Sequence, residues 1–275
     1  MTIRSLTRTS IRHVVDRLFP SVANAYRLIR DERTAIAVPK ATPFGFQLAG
    51  NDAMAAGTFE QTEITIFLKY LDQASVCIDV GANIGLYSCL ARSRGKHVIA
   101  IEPLRTNLQL LYTNLLRNGF QDVEVFPLGL SSSSGIQSLY GGGTGASFVP
   151  GWAGASTKHF QLVPTTTLDT IVQQRFAGQL LIKMDVEGFE NDVLCGATST
   201  LRLLPRPTWI VEVALNQHFP GGINKHFVQT FETFWQYGYE ARIAGITEQV
   251  VTPVDVDRWA RQGRVDFGSY NYLFV

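Results

Sequence analysis

The stretch VCIDVGANIG, residues 76–85, decides the fold. A short apolar run carries an acid, Asp79, at its end and breaks at once into a loop marked by Gly81 and Gly85. Val76 to Val80 reads as a buried strand, and Leu86 to about Arg94 as a helix with Leu86, Cys89 and Leu90 inward and Gly95 at its end. A strand that delivers an acid and turns through glycines into a helix leaves free N–H groups facing a crevice, and glycines there let a ligand approach the backbone.

The same alternation runs outward in both directions. Thr58 to Leu71 reads as a helix, with Thr58 and Gln61 as a capping box and Ile64, Phe67, Leu68 and Leu71 on one face. His97 to Ile101 is the next strand. Pro103 then opens a helix striped by Leu104, Leu108, Leu111 and Leu115 and ended by Gly119. Val123–Leu130, Leu180–Met184 and Trp209–Val213 read as further strands, Asn224–Tyr237 as a helix, and Tyr270, Tyr272 and Phe274 alternate in a last strand. Such alternation predicts a mostly parallel α/β sheet covered by helices on both faces, binding its ligand at the carboxyl ends of the strands. Asp79 and Glu102 reach that rim from neighbouring strands.

Composition sets the outer limits. The 275-residue chain is 45% hydrophobic and 17% charged, enough to bury a core. A net charge of +1 argues against a nucleic-acid partner. Six arginines, Arg4, Arg8, Arg12, Arg17, Arg27 and Arg30, face one acid, Asp16, in residues 1–30, so that segment carries +5 and the remainder −4. With Ile3, Leu6, Ile11, Val14, Val15 and Leu18 at roughly helical spacing, two readings stand: peripheral contact with an anionic membrane, or a solvated helix packed on the domain or on a second copy in a homodimer. We divide the chain into a helical basic segment, 1–50, and one domain, 51–275. No apolar run suits a signal peptide or a membrane span. Cys77, Cys89 and Cys195 are odd in number and widely spaced, which suits a reducing cytoplasm.

Two cofactor classes use an acid, a glycine turn and a second strand-terminal acid. A dinucleotide site needs G-x-G-x-x-G for its pyrophosphate, and the middle glycine is missing from Gly81-Ala82-Asn83-Ile84-Gly85. Asp79 is also poorly placed beside a pyrophosphate. It suits an ammonium group, as on the methionine part of S-adenosylmethionine, while Glu102 stands where an acid accepts hydrogen bonds from a ribose diol.

At these residues the sequence resembles the FkbM-type S-adenosylmethionine-dependent methyltransferases. The motifs, in order, are GTFEQTE (57–63), IDVGANIGLYS (78–88), VIAIEPLRTNLQLLYTNL (98–115), TTLDTI (166–171) and LLIKMDVEGFENDVLCGA (180–197). The resemblance implies a Rossmann-like class I methyltransferase fold, with a seven-stranded sheet whose final strand is antiparallel. It assigns Asp79, Gly81, Asn83 and Gly85 to the methionine and ribose side, Glu102 to the ribose hydroxyls, Leu130 to the adenine and Glu60 to the methionine moiety. It also implies an O-methyltransferase whose acceptor is a sugar hydroxyl in a glycan or glycosylated natural product. N-methylation of a small molecule or peptide, and a non-catalytic binding subunit, are the alternatives.

Transfer to a hydroxyl needs its proton removed, by a base or by a metal that lowers its pKa. Asp185, Glu187 and Glu212 leave adjacent strand ends, and His218 follows in a loop, so all four are candidate catalytic groups. Each has a structural reading: Asp185 as a cofactor ligand, Glu187 as a cap for the next helix, Glu212 as a partner of Lys183, His218 as part of a turn. Three carboxylates at one rim also suit a divalent metal, although no metal-ligand spacing is present. The glycine-rich run 140–156 reads as a lid or binding loop, in which Phe148 and Trp152 either stack on a sugar or seat the loop on the core.

Overall fold

Apolar runs of five residues are too short for helices and carry β-branched residues, so they pair as strands, and the amphipathic segments between them cover the resulting sheet. The computed structural model describes residues 37–173 and 175–275. The arginine-rich segment and its proposed membrane or dimer contacts therefore lie outside the described residues.

The chain runs β1 (Lys40–Ala41), β2 (Gln47–Leu48), α1 (Asp52–Ala55), α2 (Gln61–Gln73), β3 (Val76–Val80), α3 (Leu86–Ser93), β4 (His97–Ile101), α4 (Arg105–Arg117) and β5 (Glu124–Phe126). It continues through β6 (Gly129–Leu130), β7 (Gly135–Tyr140), β8 (Phe160–Thr166), α5 (Leu168–Val172), β9 (Leu180–Met184), α6 (Glu190–Cys195) and β10 (Thr208–Glu212). It ends with α7 (Phe227–Gln236), β11 (Ala241–Ile243), β12 (Val250–Val251), α8 (Pro253–Gln262) and β13 (Asn271–Phe274).

The central sheet has the order β12-β11-β13-β10-β9-β3-β4-β5. β3, β4, β5, β9 and β10 are parallel, and β13 is antiparallel to both β10 and β11, as the resemblance implies for a final strand. The sheet has eight strands rather than seven, because the two-residue β12 adds an edge ladder to β11. Two cores form on its faces. Val76, Ile78 and Val80 point into the cluster that holds Trp209, Phe231 and Trp259, while Cys77 points into the one that holds Phe67, Leu90 and Leu111. Phe46, Leu48 and Ala49, just before residue 51, are buried in the second cluster, so the residues ahead of the expected domain boundary share its core.

Three expectations change. The Thr58–Gln61 capping box does not form: α2 begins at Gln61 behind Glu60, which sits at φ +45° with no side-chain cap, and Gln61 Nε2 donates instead to Gly57 O. Pro103 lies ahead of α4, whose N-cap is Leu104. The run 123–130 is two strands, because Pro127 interrupts it: β5 joins the main sheet and β6 a separate three-stranded sheet ordered β6-β8-β7. That small sheet, with the loop between β7 and β8, stands over the carboxyl edge of the main one.

Candidate active site

β3 and β9 run side by side, with Asp79 in register with Lys183 and Val80 with Met184. Each then leaves the sheet at the same edge. A Cβ at Gly81 (φ +82°) would collide with the carbonyl oxygen of Asp185, and one at Gly85 (φ +90°) would meet Leu111 Cδ1 at 2.5 Å. Close approach of the residue after β9 and of α4 is therefore enough to require glycine at both positions, and Gly81 also lines the space above the turn. Asn83 also has positive φ, +51°, and its N–H points at Glu102.

A narrow cleft lies over this turn, lined among others by Gly81, Asn83, Glu102, Leu128, Leu130, Ser147 and Phe148. Glu102 is buried in its wall. Its Oε2 accepts from Asn83 N at 2.8 Å and its Oε1 from Leu104 N at 2.7 Å. A carboxylate has about four acceptor positions, so each oxygen keeps capacity for a ligand hydroxyl. Burial lifts the Glu102 carboxyl to about 7 against these two backbone donors.

A second chamber of about 270 Å³ adjoins the cleft and shares Gly81, Asn83, Thr144, Asp185 and Glu187 with it. Glu60, Tyr87, Lys183 and Glu212 complete its polar wall. Lys183 is buried, its Nζ 3.3 Å from Asp185 Oδ2 and 4.5 Å from the centre of the Tyr87 ring. Burial works against its charge, but Asp185, Glu60, Asp79 and Glu212 together raise its pKa. Tyr87 Oη donates to Glu60 Oε2 at 2.7 Å. Four carboxylates and one ammonium leave this chamber with excess negative charge, and protonation relieves it. Glu212 is pushed up to about 9, first by Asp185 and then by burial; Glu187 is pushed up to about 8, first by burial and then by Asp185.

Asp79 lines neither space. It is buried behind them, its Oδ2 accepting from Ser88 Oγ at 2.6 Å and its Oδ1 without a partner; burial raises its pKa. Glu187 (φ +55°) does not cap α6: Glu190 does the local work by accepting from Gly188 N, and Glu187 Oε2 accepts from Trp152 Nε1 at 2.8 Å. Lys183 pairs with Asp185 rather than with Glu212. His218 is exposed at φ +66° and lines neither space; its carbonyl accepts from Ala153 N. Trp152 is 2% exposed, so its ring is not offered to a sugar, whereas Phe148 lines the cleft. Among the described residues no three His, Cys, Asp or Glu side chains stand close enough to hold a metal ion. Tyr87, Ser88 and Ser147 were not legible as site residues; a lysine inside the apolar strand LLIKM was the available signal for a buried acid cluster.

The FkbM methyltransferase domain matches residues 79–241, more than half the chain. The chain belongs to the FkbM methyltransferase family. The hexuronic acid methyltransferase AglP of Haloferax volcanii is 33% identical over 149 residues, which cover 52% of this chain and 58% of AglP. The match thus spans little more than half the length of that relative. Precorrin-6Y C5,15-methyltransferase of Geobacter metallireducens superposes with TM-score 0.47 at 11% identity, covering 85% of this chain and 97% of its own. An O-methyltransferase of Bacillus cereus, solved in complex with SAH, gives TM-score 0.42 at 12% identity, with 96% of each chain covered. Likeness so distant carries no argument about the site. Among the described residues no helix is long and apolar enough to cross a membrane.

Proposed function

We propose that the chain is an S-adenosylmethionine-dependent O-methyltransferase acting on a sugar hydroxyl. The observation that carries this reading is the pair of adjoining spaces, a narrow cleft walled by an acid with spare acceptor capacity and an acid-lined chamber beyond it. The donor set fits the cofactor. Glu102 retains acceptor capacity for a diol, and Asn83 Oδ1, buried without a partner between the two spaces, is an acceptor waiting for a donor. Asn83 and Glu102 would hold the ribose, Leu130 and Phe148 the adenine, and Glu60 and Asp185 the amino-acid end, with Asp79 acting from behind through Ser88 and Lys183.

When bound, S-adenosylmethionine supplies a methyl group on a sulfonium, transferred by in-line displacement. The residues of this chain then have two tasks. The cleft and chamber walls fix the acceptor oxygen, which supplies most of the effect of positioning. Glu187, with Glu212 beside it, takes the hydroxyl proton as the O–C bond forms, and a base whose pKa lies near neutrality is suited to that role. His218 lines neither space, so we assign it no proton. An amine acceptor fits less well, because those acids of the chamber that are ionised would hold it protonated and without a free electron pair.

The 33% identity to AglP supports a sugar acceptor of the same broad class. The unpaired Cys77, Cys89 and Cys195 fit a cytoplasmic enzyme. Calorimetric titration with S-adenosylmethionine tests the cofactor first, and the absence of heat at millimolar cofactor removes the reading. Mass-shift screening of glycans and glycosides with labelled methyl donor then tests the acceptor, with a gain of one methyl on a sugar oxygen expected. Because Glu187 and Glu212 supply the base, turnover should be unchanged by a chelator; loss of turnover that added divalent cation restores would assign the deprotonation to a metal instead.

A further inference from the structure

The loop between β7 and β8 touches the site at two levels. Gly143, Thr144, Ser147 and Phe148 line the nucleoside cleft, and Thr144 also lines the acid chamber. Beyond them the chain turns inward at Trp152, which is almost wholly buried. Its ring lies edge-on to Phe219, centroids 4.7 Å apart, and a Cβ at Gly188 would collide with it. Trp152 is thus wedged between the turn that follows β9 and the turn that follows β10. Its one polar atom, Nε1, donates to Glu187 Oε2 at 2.8 Å, while Ser147 Oγ donates to the Glu187 carbonyl at 2.6 Å. A buried indole N–H needs a partner, and this one has been given a carboxylate in the candidate machinery.

We propose that Trp152 is a positioning residue for proton removal: its indole N–H holds one oxygen of Glu187 and leaves the other turned to the chamber where the acceptor hydroxyl arrives. Glu187 Oε1 accepts no hydrogen bond from the described residues, while Glu187 itself lines both spaces. This inference rests on the assignment of Glu187 as the base. The charged groups facing Glu187 are Asp185 and Lys183 from β9 and its turn, Glu190 from α6, and Glu212 from the end of β10. His218 lies against the Trp152 ring at 5.7 Å between centroids. Of all these neighbours, Trp152 is the neutral donor that favours the ionised carboxylate, so its removal raises the pH at which Glu187 becomes a base.

The test is Trp152→Phe, which keeps an aromatic wedge and removes the donor. A hydrogen bond to a charged group corresponds to about a ten- to hundredfold effect. The expected result is a fall in kcat of that order, with KM for the acceptor and the calorimetric Kd for S-adenosylmethionine close to wild type, and an ionisation in the kcat profile moved up by about one pH unit. A wild-type kcat with an unmoved profile overturns the role. Glu187→Gln separates the two layers: if it retains wild-type kcat, the base assignment fails; if it is inactive while Trp152→Phe is unaffected, only the Trp152 role fails. An indole N–H resonance of Trp152 in the wild-type protein gives a reading independent of any variant's folding. It should titrate with the same midpoint as kcat, and a pH-invariant resonance contradicts the proposal.

Discussion

The nucleoside cleft and the acid chamber share a wall, yet they are built in opposite ways. In the cleft the polar atoms are mostly satisfied by the backbone: Glu102 accepts from Asn83 N and Leu104 N, and α4 supports the loop through Asn107 Nδ2 to Gly143 O at 3.2 Å. In the chamber side chains face one another, with Glu60, Asp185, Glu187 and Glu212 around a single Lys183. The first arrangement is fixed by main-chain donors, with Asn83 Oδ1 left without a partner. The second gathers more carboxyl groups than its one ammonium balances, and protons or a cationic ligand make up the difference. Local imbalance of this kind is what folding avoids elsewhere and what chemistry requires at a site.

That contrast can be broken by experiment. The largest effect belongs to the chamber: Glu187→Gln should lower kcat about 10²- to 10⁴-fold, the range for a general base, with little change in cofactor affinity. A selective loss of S-adenosylmethionine binding would show instead that Glu187 belongs with the cleft. Glu102→Gln should do the reverse. Losing charge-assisted hydrogen bonds of about 1.5–3 kcal/mol should raise the cofactor Kd about ten- to hundredfold by calorimetry, with kcat at saturating cofactor nearly retained. If kcat collapses at saturation, the division of labour between the two spaces is wrong.

The smallest effect is on stability. Glu102, Glu187 and Glu212 have folded-state pKa values of about 7, 8 and 9 against an ordinary 4.5. Raised carboxyls favour folding when protonated, so their contribution is complete below about pH 4.5 and is lost as pH climbs through about 7 to 9. The Tm of the ligand-free protein should therefore fall over that window, and Glu212→Gln should flatten its upper part. Affinity for the cationic cofactor should rise over the same interval as the acids ionise. A Tm that increases with pH would mean that the chamber acids are not held protonated.

Much of the frame was legible in the residues. Val76–Val80, His97–Ile101 and Leu180–Met184 are strands over the expected spans, because buried parallel strands leave continuous apolar runs closed by turns. The β7–β8 hairpin was not legible, since Gly135–Tyr140 and Phe160–Thr166 are interrupted by a long glycine-rich loop and carry exposed Ile136 and Leu162 where alternation would place polar residues. α8 was also missed, although Thr252 and Asp255 form a capping box with Pro253 at its first turn. Within the site, strand-terminal acids could be found by position alone. Their partners could not, because Lys183 against Asp185 and Trp152 against Glu187 depend on which side of a turn each side chain leaves.

The sequence by itself determined the alternation of strands and helices, the edge at which acids accumulate and the motifs that join this chain to its family, since periodicity and turn chemistry are local properties. Only the tertiary structure decided that Gly81 makes room for the Asp185 carbonyl, that Asp79 stands behind the wall, and that Trp152 is buried against Glu187. Those outcomes turn on the separation of two strands and the φ of single residues, and no pattern of residue types encodes distances between segments a hundred positions apart.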